Sequence, residues 1–91
     1  MDVRWSPQAA DDLAAIVAHI AGDDREAAHR TAREIYRRTG ALNTFPYGGR
    51  KGRVSGTREL PLAPLPFVVV YRVLLHAVEI ANIIHGAQRW P

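Results

Sequence analysis

The sequence predicts an α+β fold, a helical hairpin laid on one face of a small sheet, with elements in the order β-α-α-β-β-β. Three observations carry that reading. A Ser6-Pro7 pair opens an apolar stripe of helical period, a second amphipathic stretch follows after a very short break, and the last third of the chain holds two dense β-branched runs. A chain of 91 residues has room for a single domain, residues 1–91.

Asp2 to Trp5 alternates apolar and polar residues and reads as a first strand. Ser6 can cap the helix that follows, and Pro7 suits its first position because no hydrogen bond is lost there. Leu13, Ile16, Val17 and Ile20 then fall at i, i+3, i+4 and i+7 and form one apolar stripe. Asp11 and Asp12 are expected near the positive end of this helix dipole, and the helix to end near Ala21. Gly22 breaks the pattern, and Asp23 with Glu26 makes a capping-box signature for a second helix. That helix carries Ala28, Ala32, Ile35, Thr39 and Leu42 on one face, with Gly40 inside it at a cost of about 1 kcal/mol relative to alanine. Its other face carries Arg30, Arg33, Glu34, Arg37 and Arg38, with Glu26–Arg30 and Glu34–Arg38 spaced as favourable i, i+4 pairs.

Phe45 to Gly56 is a turn-rich basic loop. Arg58 to Leu62 reads as a strand, although Pro61 demotes it toward an edge position. Phe67 to Val73 is a nearly unbroken β-branched and aromatic run, the mark of a strand buried on both faces, and Val78 to Ile84 is a second one. The tail runs from His85 to Pro91. There are no internal repeats and no low-complexity linker.

Composition limits the function classes. With no cysteine there is no disulfide framework and no thiolate chemistry. No apolar stretch approaches the ~18 residues of a membrane span, and the N-terminus lacks the basic-then-apolar plan of a signal peptide, so a cytoplasmic protein without membrane contact is expected. A chain this short buries roughly 60–65% of its unfolded surface, so a bound partner would add materially to its stability. The net charge is +3, and arginine supplies eleven of the twelve basic residues. Guanidinium forks match phosphates and carboxylates, so the partner is expected to be a nucleic acid or an acidic protein.

Three constellations are candidates for function. In the basic loop, Arg50, Lys51, Arg53 and Arg58 are interleaved with Gly48, Gly49, Gly52 and Gly56; the alternative to a binding loop is a solvated connection. No Gly-Lys there is followed by Ser or Thr, so it is not a phosphate-binding Walker loop. As loop residues, Arg50, Lys51 and Arg53 are expected to be replaceable at about 0.5 kcal/mol or less each. Leu74 and Leu75 sit where a hairpin tip should be polar or glycine-rich, which implies a longer strand or an exposed apolar patch awaiting a partner. In the third, His85, Arg89, Tyr71 and Arg72 could supply an acid/base group, a hydroxyl and phosphate clamps; against that stands a strand-end histidine satisfied by backbone. The four histidines lack metal-site spacing, and no metal or cofactor is expected.

Taken together, the start RWSPQAADDLAAIVAHIA, the middle FPYGGRKGRVSGTREL, the strand PFVVVYRV and the ending VEIANIIHGAQRWP resemble the RelE/ParE superfamily of toxins over nearly the whole chain. The resemblance implies a small, mainly antiparallel sheet under the helical hairpin. It also implies the toxin half of a type II toxin–antitoxin module, a hetero-oligomer in which an antitoxin wraps the toxin and blocks it.

The superfamily splits by target. RelE-like members cut mRNA in the ribosomal A site with basic residues on the central strands and a group such as tyrosine near the C-terminus. ParE-like members inhibit DNA gyrase and lack that set. Here valines occupy Val68, Val69 and Val70, where an RNase member carries a strand arginine, and His85-Gly-Ala-Gln stands in place of a basic cluster followed by tyrosine. The resemblance is therefore nearer to ParE, with DNA gyrase as target and a ParD-like antitoxin as partner. The alternative is a metal-independent, ribosome-dependent mRNA endoribonuclease built on His85, Arg89 and Arg72. The implied target- or antitoxin-binding residues are Arg50, Lys51, Arg53, Arg58, Leu74, Leu75 and Trp90.

Overall fold

A computed structural model describes all of Met1–Pro91. The elements are β1 (Asp2–Trp5), α1 (Pro7–Ala21), α2 (Arg25–Gly40), β2 (Arg50–Lys51), β3 (Arg58–Pro61), β4 (Phe67–Val73) and β5 (Ala77–His85), with a short 3-10 turn at Ala41–Asn43. They form one sheet in the order β1-β5-β4-β3-β2. The β1–β5 pair is parallel and the others antiparallel. The expected α+β architecture is present, with β2 as an additional strand that takes the edge position expected of β3; β2 covers only Arg58 and Glu59, so Pro61 still faces no ladder on that side. Two residues of arginine and lysine among glycines carry no strand signal, and β2 exists only because β3 offers it a ladder.

Helix boundaries follow local chemistry, with two corrections. Ser6 caps α1 by accepting the Ala9 N–H at 3.0 Å. The cap of α2 is Asp24, not Asp23: its carboxylate accepts the Ala27 N–H at 3.0 Å, so the Asp23–Glu26 capping box does not form. Gly40 is the last residue of α2, and Leu42 lies beyond the helix in the 3-10 turn. Leu42 is still buried, because the turn continues the chain along the same side of the core.

The helices cover one sheet face. Leu13 of α1 and Ile35 of α2 pack with Val69, Tyr71, Ile80 and Ile83 in the main core. Each such aliphatic side chain contributes roughly 1.5–3 kcal/mol by leaving water. The alternate residues Val68, Val70 and Ile84 form a smaller cluster on the opposite face, with Trp90 packed against it. The expectation that Phe67–Val73 is buried on both sides is met for Val68–Tyr71, while Phe67, Arg72 and Val73 at its ends are half-buried.

The junction of α1 and β5 positions both. Strand β1 covers only Ala77–Ile80 of β5, and a register irregularity between Val70 and Tyr71 leaves Ala81 without an opposite residue. Ser6 and Asp12 bond to the backbone there. Ser6 N–H donates to the Ile80 carbonyl and its hydroxyl to the Ala81 carbonyl, both at 2.9 Å. The Asp12 carboxylate accepts the Ile83 N–H at 2.9 Å. Asp12 therefore serves the sheet, and neither it nor Asp11 lies in the first turn of α1.

Candidate functional site

The basic loop is built around two buried groups. Tyr71 is fully buried, and its hydroxyl accepts the Gly49 N–H and donates to the Pro46 carbonyl, both at 2.8 Å. This bond pins the loop onto β4, and it requires glycine: a Cβ at position 49 would stand 2.7 Å from both the Glu59 carbonyl oxygen and the Tyr71 hydroxyl. The second group is Glu59, only 1% exposed. Its carboxylate accepts the Arg53 backbone N–H at 2.9 Å and guanidinium bonds from Arg53 at 3.1 and 3.2 Å, with Arg50 at 3.5 Å. The bonded Arg53 guanidinium holds the Glu59 carboxyl below the usual glutamate range, against the opposing effect of burial.

Arg58 is also engaged within the chain. Its guanidinium donates twice to the Gly49 carbonyl, at 2.8 and 3.1 Å, and lies 5.2 Å from the Tyr47 ring centroid. Three of the four loop cations thus fold the loop, and Lys51 alone is exposed with no ion pair or side-chain hydrogen bond. The expectation that Arg50, Lys51 and Arg53 are equally dispensable to the fold is corrected for Arg53. Removing it strands a carboxylate that the sheet has buried.

At one end of the sheet, the β4–β5 connection presents Leu74 at 43% and Leu75 at 84% exposure. Of the two readings of this pair, the exposed patch is the one realised. Met1, 46% exposed, precedes the residue that pairs with Ala77, so it lies at the same end.

His85, Tyr71, Arg72 and Arg89 do not converge. His85 pairs with Phe67, whereas Tyr71 pairs with Ile80, about 13 Å further along the sheet. The Tyr71 hydroxyl is sealed under the loop, and Arg72 faces Glu79 at 3.8 Å. His85 is exposed, with its Nδ1 accepting the Ala87 N–H at 3.1 Å and its ring edge-on to Phe67. Arg89 is exposed. Trp90 lies over Val68, Val70 and Ile84, with its indole N–H buried and unpaired.

Sequence reasoning missed a groove of about 580 Å³ at the end of the sheet opposite Leu74 and Leu75. Ile16 and Ile20 of α1, Leu65, Phe67 and Ile83 give it an apolar floor, while Asp12, His19, Thr31, His85 and Gln88 supply polar groups. A signal was available: the apolar stripe of α1 continues to Ile20, but only Leu13 and Ala9 on that helix are fully buried. The remainder of the stripe has no complete cover within the chain.

Comparison with known proteins agrees with this architecture. Residues 3–90 match the family model described as the ParE toxin of the type II toxin-antitoxin system parDE. A protein of Sinorhizobium fredii (strain NBRC 101917 / NGR234) named as a toxin, Y4kP, is 40% identical over 89 residues, covering 98% of this chain and 92% of its own. A chain of the chromosomal ParDE TA system from P. aeruginosa superposes with a TM-score of 0.86 at 30% identity, over 93% of this chain and 95% of that one. A chain of the E. coli DinJ-YafQ complex shares the fold at 12% identity, with a TM-score of 0.64 over 99% and 98% of the two chains. This chain belongs to the ParE family of type II toxin–antitoxin toxins.

Proposed function

We propose that this toxin acts in the cytoplasm by inhibiting DNA gyrase and that a ParD-like antitoxin neutralises it. The observation that carries the reading is the ParE family match along residues 3–90, supported by the 30% identical chain from a ParDE system. The geometry supports a binding mode of action in preference to cleavage. Metal-free phosphodiester cleavage needs an acid, a base and cations around one atom, and the side chains that could supply them are dispersed. Two apolar features are open to partners. The exposed Leu74–Leu75 tip is offered to the target or to the antitoxin. The groove beside Ile16, Ile20 and Phe67 is assigned to the antitoxin, whose apolar side chains would cover it. Lys51 adds a free charge, Arg50, Arg53 and Arg58 support the loop that carries it, and Trp90 braces the second sheet face.

The test compares wild type and His85→Gln in gyrase supercoiling and cleavage-complex assays, with ribosome-dependent mRNA cleavage run in parallel. Glutamine keeps a hydrogen-bonding side chain but cannot titrate near neutral pH. Both proteins are expected to inhibit gyrase alike. Ribosome-dependent cleavage by wild type that drops about 100-fold or more in the variant would instead establish the endoribonuclease reading.

A further inference from the structure

We propose that the outer face of α2 is a binding surface for the phosphate backbone of a nucleic-acid duplex. This surface is separate from the hairpin tip and the groove. Helix α2 holds Arg25, Arg30, Arg33, Arg37 and Arg38 against Glu26 and Glu34, a surplus of three positive charges. The whole chain has a net charge of +3, so the remaining residues hold seven cations and seven carboxylates and cancel. The surplus therefore lies on the Arg25–Gly40 helix, with Asp23 and the capping Asp24 offsetting part of it at the N-terminal end.

The pattern of partners sharpens this. Arg25 and Arg33 are exposed and make no ion pair and no side-chain hydrogen bond, and His29 lies exposed between them. Arg30 reaches Glu26 only at 3.9 Å, with 60% and 90% of the two side chains exposed. Such a pair exchanges readily for a stronger anion. Elsewhere, Arg4, Arg50, Arg53 and Arg72 face carboxylates and Arg58 a carbonyl, and the two remaining free cations, Lys51 and Arg89, stand singly.

Spacing and chemistry select the ligand. Arg25, His29, Arg33 and Arg37 recur every four residues and span about 18 Å of helix. Over that length a DNA duplex presents about ten backbone charges, at one per ~1.7 Å. Tyr36 is 56% exposed on the same face, steadied by Trp5 at 5.2 Å between ring centroids, and its hydroxyl can donate to a phosphate oxygen. No aliphatic side chain stands out on this face to anchor an acidic peptide. The long exposed aliphatic residues Met1, Leu74 and Leu75 are at the end of the sheet. The guanidinium groups of Arg25 and Arg33 are exposed and held by no partner in a fixed fork, so they meet phosphates, which every base step presents alike, and binding is independent of base sequence.

Fluorescence anisotropy of mixed-sequence 20-base-pair DNA and RNA duplexes, titrated with the full chain across a salt series, tests the proposal. Binding should weaken steeply with salt. Arg25→Gln/Arg33→Gln should reduce the slope of log K against log salt by about 1.8, the share of two phosphate contacts. The charge-matched control Arg4→Gln/Arg72→Gln should keep the wild-type slope, with circular dichroism verifying the fold of both variants. Equal affinity for DNA and RNA would identify the backbone itself as the ligand, and a preference would identify which duplex is bound; either supports the proposal. It is overturned by no wild-type binding at 50 mM salt, by equal slope loss in the control, or by poly-glutamate displacing the duplex at equal charge. The gyrase assay is independent of each of these outcomes.

Discussion

The basic loop and the outer face of α2 are both arginine-rich, yet their cations do opposite work. In the loop, Arg53 and Arg50 surround a glutamate that the sheet has taken out of water, and Arg58 closes on a backbone carbonyl. On α2, Arg25 and Arg33 stand in solvent without partners, and Glu34 meets Arg37 at 2.6 Å on an open surface. Both glutamates have carboxyl pKa values lowered, Glu59 chiefly by its Arg53 hydrogen bond and Glu34 chiefly by that of Arg37. The shared direction conceals different consequences. A pair whose carboxylate is out of water is screened less by salt and is costly to break, even with its arginines half exposed, whereas a pair solvated on both sides is screened and contributes little. Counting arginines in a segment therefore says little about how many are available to a partner.

The most severe test of this contrast is Arg53→Ala. Leaving Glu59 buried with only the longer Arg50 contact should cost about 2 kcal/mol, below the range for a fully buried pair because the Arg53 side chain is itself half exposed. Urea unfolding should register it as a lower midpoint, while Lys51→Ala should leave the midpoint nearly unchanged. A loss under 1 kcal/mol for Arg53→Ala would erase the distinction between the two regions. The same pair predicts a pH dependence. A carboxyl lowered in the folded state stabilises the fold at pH above its unfolded value, about 4.3. That stabilisation is lost as pH falls below this value and through the lowered folded value. Glu59→Gln should flatten the acid limb of the stability profile, and the effect should persist in 1 M salt. The corresponding effect at Glu34 should fade there.

Smaller perturbations sharpen the comparison. Tyr71→Phe leaves the Gly49 N–H buried without its acceptor and should cost about 1–2 kcal/mol. Hydrogen exchange should then quicken at Gly49 before it does in α2. Gly40→Ala acts in the other direction. The residue has helical φ and ψ, and a Cβ there would meet nothing within 4 Å. Alanine should therefore stabilise by about 0.5–1 kcal/mol, seen as a higher thermal midpoint. Arg33→Gln should change stability by less than 0.5 kcal/mol, in keeping with an exposed cation that supports nothing in the fold.

Elements governed by near neighbours in the chain were legible from the sequence. Ser6-Pro7 starts α1, the apolar stripe orients it, and the β-branched runs become β4 and β5, because capping, periodicity and propensity act within a turn or two of the chain. For Leu74 and Leu75 the sequence leaves a longer strand and an exposed patch both open, and only the structure decides for the patch. The residues that only the tertiary structure assigned are those whose environment comes from distant segments. Asp12 looks like a helix-start carboxylate until β5, 71 residues away, brings the Ile83 N–H to it. Tyr71 looks like an available hydroxyl until the loop at Pro46 and Gly49 closes over it. Arg53 looks like a free loop cation until β3 buries Glu59 beneath it. In each case a buried polar group had to find its partner across the fold, and the need for that partner, imposed by the loss of water, decided what the side chain is for.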